Sequence, residues 1–217
     1  MQKEAENKDF ILKGVSYRSI RCLSESSGEA QIYLVEREGE NYVLKVYYPN
    51  FDVNKKLLQT IRMFDFEMIV KLYDFGKTYV EGKHRYYELM EYLHGGTLSQ
   101  YHLNGDLNRF RRIALQAAAA LAYCHNNNIL HKDIKPSNFF FRDDSHEDLV
   151  LGDFGISSML EKDGKSHRTT QARTPIYAAP EMYSDVIDGV VELTPSADFY
   201  SLGMTLFALW LGANPMS

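Results

Sequence analysis

The chain has 217 residues with 24 basic and 29 acidic side chains, a net charge of −5, and 45% apolar residues. That is enough for one large domain or two small lobes, and it excludes global disorder. The charge is uneven: Thr174 to Ser217 holds five acids and no Lys or Arg, so residues 1–173 balance and no basic nucleic-acid surface is indicated.

The polar start, Met1 to Asp9, does not read as a secretory signal. Strands are expected at Tyr17–Leu23, Gln31–Glu36 and Asn41–Tyr48, the last two forming a hairpin around Arg37-Glu38-Gly39-Glu40. A short polar helix follows at Val53–Met63, then strands near Ile69–Phe75 and Arg85–Tyr92 around the turn Glu81-Gly82-Lys83. His94-Gly95-Gly96 reads as a hinge between a strand-rich front and a helix-rich back. Beyond it Phe110, Ile113, Ala114, Ala117, Leu121 and Cys124 recur at helical spacing. An apolar hairpin, Phe139–Phe141 with Leu149–Leu151, an exposed polar loop and a helix from Ser196 to Leu211 follow. The expected fold is α+β in two lobes: residues 1–93, an antiparallel sheet plus one helix, and residues 94–217, mainly helical. Cys22 and Cys124 read as free thiols of a reducing compartment, and the apolar window Leu202–Leu211 is too short to span a bilayer. A cytoplasmic protein without membrane contact is expected.

His131-Lys132-Asp133-Ile134-Lys135-Pro136-Ser137-Asn138 follows the long helix, then come Asp153-Phe154-Gly155 and Ala179-Pro180-Glu181, with Val43-Leu44-Lys45 upstream. This ordered set resembles the protein kinase family, from about Tyr17 onward, in its eukaryotic-like Ser/Thr branch. Phosphoryl transfer needs one carboxylate to orient a hydroxyl nucleophile and another to hold Mg²⁺ against phosphates. The resemblance implies that Asp133 is the first and Asp153 the second, with Asn138 holding a second Mg²⁺ and Lys135 contacting the transferred phosphate. Lys45 would meet ATP phosphates from an apolar strand, where an ammonium needs an anionic partner. Met90, Glu91 and Leu93 resemble the hinge that receives adenine, with Ile32 above the base, Phe140 below it, and Val43 and Gly28 also beside the nucleotide. ATP and Mg²⁺ would therefore sit between the lobes. Lys135 and Thr174 match the Ser/Thr pattern, so the implied partner is a protein substrate with Ser or Thr. Compact, divergent loops suggest a bacterial source.

Ser157, Ser158, Ser166, Thr169 and Thr170 lie in the polar loop, and phosphorylation at Thr169 or Thr170 would order it by pairing with a cation. Asp198 resembles the helix aspartate that braces the catalytic loop, and His131 reads as a packed core histidine. Four departures from the family pattern stand out. The glycine positions of the phosphate loop fall on Glu25, Ser27 and Ala30, with one displaced Gly28. Leu57 occupies the place of the helix glutamate that pairs with the strand lysine. Asp65 or Glu67 would serve in a shifted helix; otherwise Lys45 has another partner or the state is inactive. Lys132 replaces the usual Arg and would meet a loop phosphate only as a point charge. No Arg follows Glu181, which implies an incomplete C-terminal lobe and a buried acid in need of a partner. The alternative reading is a pseudokinase, a nucleotide-responsive binding or regulatory module.

Overall fold

The computed structural model describes residues 8–24, 28–161, 163–166, 176–183 and 192–212. Two compact units emerge: Met1–Asp65 with Val70–Tyr92, and Phe66–Ile69 with Leu93–Ser217.

The first unit is a six-stranded antiparallel sheet in the order β1-β2-β3-β4-β6-β5. The strands are β1 (Asp9–Leu12), β2 (Val15–Ser24), β3 (Ala30–Arg37), β4 (Glu40–Tyr47), β5 (Leu72–Val80) and β6 (Lys83–Glu91). Two-residue turns join three of the pairs: Lys13-Gly14 at φ 49° and 85°, Glu38-Gly39 at 55° and 85°, and Glu81-Gly82 at 53° and 78°. Both central residues are left-handed, the geometry whose twist suits a tight hairpin, and glycine takes it without steric cost. Along the strands every second side chain enters one core, which includes Phe10, Tyr33, Val35, Leu44, Val46 and Leu89. The sheet curls until its edge strands meet. Thr78 Oγ1 donates to the Ile11 carbonyl at 2.8 Å, and Lys13 Nζ lies 2.5 Å from Asp74 Oδ1. Strand β1 was not expected from the sequence, although Lys13-Gly14 between two alternating apolar runs carries its signal. One helix, α1 (Lys55–Arg62), starts where the Asn54 side chain accepts from the Leu57 amide at 3.2 Å. It buries Leu57, Leu58 and Ile61.

In the second unit α2 (Leu107–Asn126) begins under the Asp106 carboxylate, which accepts the amides of Asn108 and Arg109 at 3.0 Å each. It buries Ile113, Ala117, Ala120, Leu121 and Cys124, close to the face expected, while Phe110 stands half-buried with its ring edge on Trp210. Desolvation pushes the Cys124 thiol well above its ordinary range, so it stays protonated as a small apolar group. Next come β7 (Ile129–Leu130), β8 (Phe139–Phe141), β9 (Leu149–Leu151) and β10 (Ser158–Met159), in the pairs β7 with β10 and β8 with β9. The last helix, α3 (Pro195–Leu211), has Pro in its first turn and closes on Gly212 at φ 65°. No described helix is long and apolar enough to cross a membrane.

Several sequence expectations need correction. The strand expected from Ile69 begins at Leu72, because Ile69 belongs to the second unit, where it bridges Leu151. Gly95 and Gly96 also lie in the second unit and are tied to β8: the Gly95 amide donates to the Phe141 carbonyl and the Phe141 amide to that of Gly96. A Cβ on Gly95 would stand 2.1 Å from the Asp143 carbonyl oxygen, so glycine permits a close approach there. The polar loop is not uniformly exposed. Ser157, Ser158 and Ser166 are buried, the hydroxyls of the last two 2.6 Å apart, and β10 occupies part of it. Glu181 is half-buried rather than buried.

Candidate active site

Three of the residues singled out in the sequence converge in the turn after β7. Asp133 Oδ2 accepts from Lys135 Nζ at 2.8 Å and from Asn138 Nδ2 at 3.0 Å, and the same amide nitrogen donates to the Asp133 carbonyl at 2.8 Å. Asn138 is buried at 4% exposure, so its amide is fixed with Nδ2 toward Asp133 and Oδ1 left as an acceptor. The pairing of β8 with β9 places Gly152 beside this turn. Its amide donates to the Asn138 carbonyl at 2.9 Å, and its own carbonyl meets His131 Nε2 at 3.0 Å. Asp153 follows directly, exposed and left-handed at φ 56°. A non-glycine residue in that region is strained, and strain of this kind concentrates where a side chain must be aimed. Phe154 is buried, its ring centroid 4.8 Å from that of His131.

His131 is fully buried. Its Nδ1 accepts the Asp133 amide at 3.3 Å, which leaves the ring proton on Nε2 for the Gly152 carbonyl. It is a packed histidine with both nitrogens engaged. Asp198, on α3 and fully buried, holds the turn from below: its carboxylate accepts the amides of His131 at 2.8 Å and Lys132 at 2.7 Å. His125 on α2 adds a contact at 2.9 Å. Lys132 is itself buried and left-handed at φ 67°, a conformation the Asp198 bond secures. The segment it was expected to serve, with Thr169, Thr170 and Thr174, lies outside the described residues, as do Glu25 and Ser27.

In the first unit, register brings Ile32, Val43, Lys45 and Met90 onto the face opposite the apolar core. Ile32 pairs with Lys45, Val43 with Met90, and Lys45 with Glu88. The Glu91 side chain is spent on its own sheet, accepting the Lys71 amide at 2.7 Å. Leu93 opens the second unit, where Phe140 is the half-buried member of β8; Gly28 is exposed. Lys45 is 6% exposed, with Nζ 3.9 Å from Glu29 Oε2. A protein carboxylate thus stands by the lysine, and it is neither Asp65 nor Glu67, the two acids named from the sequence. Asp65 and Glu67 lie beyond the end of α1 and are exposed, and Glu67 belongs to the second unit.

The donor set suits Mg²⁺. No cluster of three or more His, Cys, Asp or Glu occurs among the described residues, but a carboxylate at Asp153 and an amide oxygen at Asn138 are the hard oxygen ligands that Mg²⁺ takes alongside water and phosphate.

The model of the protein kinase domain matches residues 26–217. The chain belongs to the protein kinase family. It is 35% identical over 164 residues to the serine/threonine protein kinase OSK3 of Oryza sativa subsp. indica, covering 74% of this chain and 30% of that one. This kinase chain therefore spans less than a third of that relative's length. It also resembles the solved structure of the Cydia pomonella granulovirus kinase PK-1, with a TM-score of 0.73 at 23% identity, over 92% of this chain and 70% of that one. Two features escaped the sequence: in the second unit His125 against Asp198, and in the first unit Glu29 by Lys45, with Glu88 as the cross-strand partner of Lys45. Strand register would have exposed Glu88, but register depends on pairing partners distant in sequence.

Proposed function

We propose that this chain transfers the terminal phosphoryl group of ATP to Ser or Thr hydroxyls of protein substrates. The observation that carries this reading is the Asp133–Lys135–Asn138 cluster, locked by Gly152 and by the buried Asp198. Asp133 is the proton acceptor for the incoming hydroxyl, and Lys135, already 2.8 Å from it, brings positive charge to the transferring group. Asn138 and Asp153 would hold Mg²⁺, which offsets phosphate charge when bound. Lys45, with Ile32, Val43 and Met90 on its sheet face, contributes to nucleotide binding. The Ser/Thr class rests on Lys135 and on the printed name of the rice relative.

The test is radiolabelled phosphate transfer from Mg²⁺-ATP to a generic protein by this chain and by Asp133→Ala. Transfer by the wild type, lost in the variant, is expected. Nucleotide binding without transfer would leave a binding module instead, and transfer only to a small alcohol would show the substrate class to be wrong.

A further inference from the structure

An ammonium that is 6% exposed must be matched by negative charge, because removing it from water without a partner is strongly disfavoured. Helix α1 cannot supply that charge: it reads Lys-Lys-Leu-Leu-Gln-Thr-Ile-Arg, with Leu57 turned inward. The sheet can. Lys45 on β4 and Glu88 on β6 are direct partners in antiparallel register, so their side chains leave the same face about 5 Å apart at Cβ. Glu88 is 5% exposed, and its Oε1 accepts the Tyr47 hydroxyl. Tyr47 lies two residues along β4 on that same face, with the Lys45 ammonium 5.1 Å from its ring centroid. Glu29 also approaches, at 3.9 Å, but its side chain is 28% exposed, where water weakens the attraction.

We propose that Glu88 is the positioning residue for Lys45, oriented by Tyr47 and taking the role that a helix acid does not fill here. The catalytic meaning of this pair rests on the kinase reading; its geometry does not. A cross-strand partner is set by backbone pairing, so the lysine's orientation is independent of where α1 lies. Glu29 has the lesser part.

The test is acylation of Lys45 by a water-soluble amine-reactive ester across pH, without nucleotide, quantified by peptide mass spectrometry. Exposed Lys56 is the internal reference. Glu88→Gln keeps the shape and an acceptor for Tyr47 but removes the charge, which favours the neutral amine. The expected result is a labelling midpoint lower by about one pH unit, or about tenfold faster labelling at a pH below the midpoint. Lys56 should be unchanged, Glu88→Asp intermediate and Glu29→Gln less affected. In phosphate transfer, Glu88→Gln should lower kcat/KM for Mg²⁺-ATP by about tenfold or more, with partial rescue in Glu88→Asp. If Glu88→Gln does not fold, Glu88→Asp decides: faster labelling than wild type supports the pair, and identical labelling overturns it. Unchanged labelling in Glu88→Gln, or a larger shift in Glu29→Gln, also overturns it. A labelling shift without phosphate transfer by any form leaves the pair standing and overturns the kinase reading.

Discussion

Replacing Asp198 with Asn tests how the turn carrying Asp133 is held. The carboxylate accepts three bonds, at 2.7 Å from the Lys132 amide, 2.8 Å from the His131 amide and 2.9 Å from His125. An asparagine has one oxygen, so its NH₂ must face at least one of those donors and leave it unsatisfied. Losing a hydrogen bond to a charged group costs about 1.5–3 kcal/mol, and a buried orphan donor about 1–3 kcal/mol. Asp198 also places its charge in the first turn of α3, worth about 0.5 kcal/mol. Because the first two figures describe the same loss, the expected destabilisation is about 2–4 kcal/mol, a large part of the roughly 5–15 kcal/mol that holds a domain together. Urea denaturation followed by circular dichroism measures it. Hydrogen exchange should also speed up at the His131 and Lys132 amides before other parts of the second unit. A loss under about 1 kcal/mol, with both amides still protected, would refute the reasoning.

Two further substitutions separate tight positions from permissive ones. Gly95→Ala would put a Cβ 2.1 Å from the Asp143 carbonyl oxygen, a backbone atom that cannot swing aside, and should cost about 2–4 kcal/mol in a thermal melt. Gly28→Ala meets nothing within 4 Å and should stay within about 0.5 kcal/mol of wild type; equal effects would discredit the clash. Burial pushes the Asp74 carboxyl up, but hydrogen bonds from Lys13 and Tyr87 outweigh it and leave the group below its ordinary range. A lowered folded value means that its stabilisation is complete above the unfolded value, about pH 4, and fades as pH falls through the folded value. The advantage of wild type over Asp74→Asn, read by urea titration, should shrink on acidification; growth instead would contradict the assignment.

Local chemistry was legible. The hairpin Phe139–Phe141 with Leu149–Leu151 agrees with the structure residue for residue, because short apolar runs bounded by polar turns have few alternatives. The buried face of α2 followed from its periodicity, and Glu81-Gly82 announced its turn. Errors arose where local and distant demands differ. Ile69 and Val70 are as apolar as any strand, yet Ile69 pairs with Leu151, far along the chain. Ser158 and Ser166 look like loop hydroxyls, but each satisfies the other inside the second unit. Glycines 95 and 96 suggested freedom, although Gly95 is small because a carbonyl passes beside it.

Length and composition bounded the chain to one or two compact units, and its charge balance gave no sign of a basic nucleic-acid surface. Motif order alone then placed Asp133, Lys135, Asn138 and Asp153 in a chemical family, since spacing along the backbone is a covalent property. What surrounds those residues was decided by packing. The three bonds to Asp198, the bond between His131 and the Gly152 carbonyl and the Glu29 carboxylate beside Lys45 all join residues well separated in sequence. Each exists because burial leaves a charge or an amide in need of a partner, and only the folded chain determines which group lies within reach.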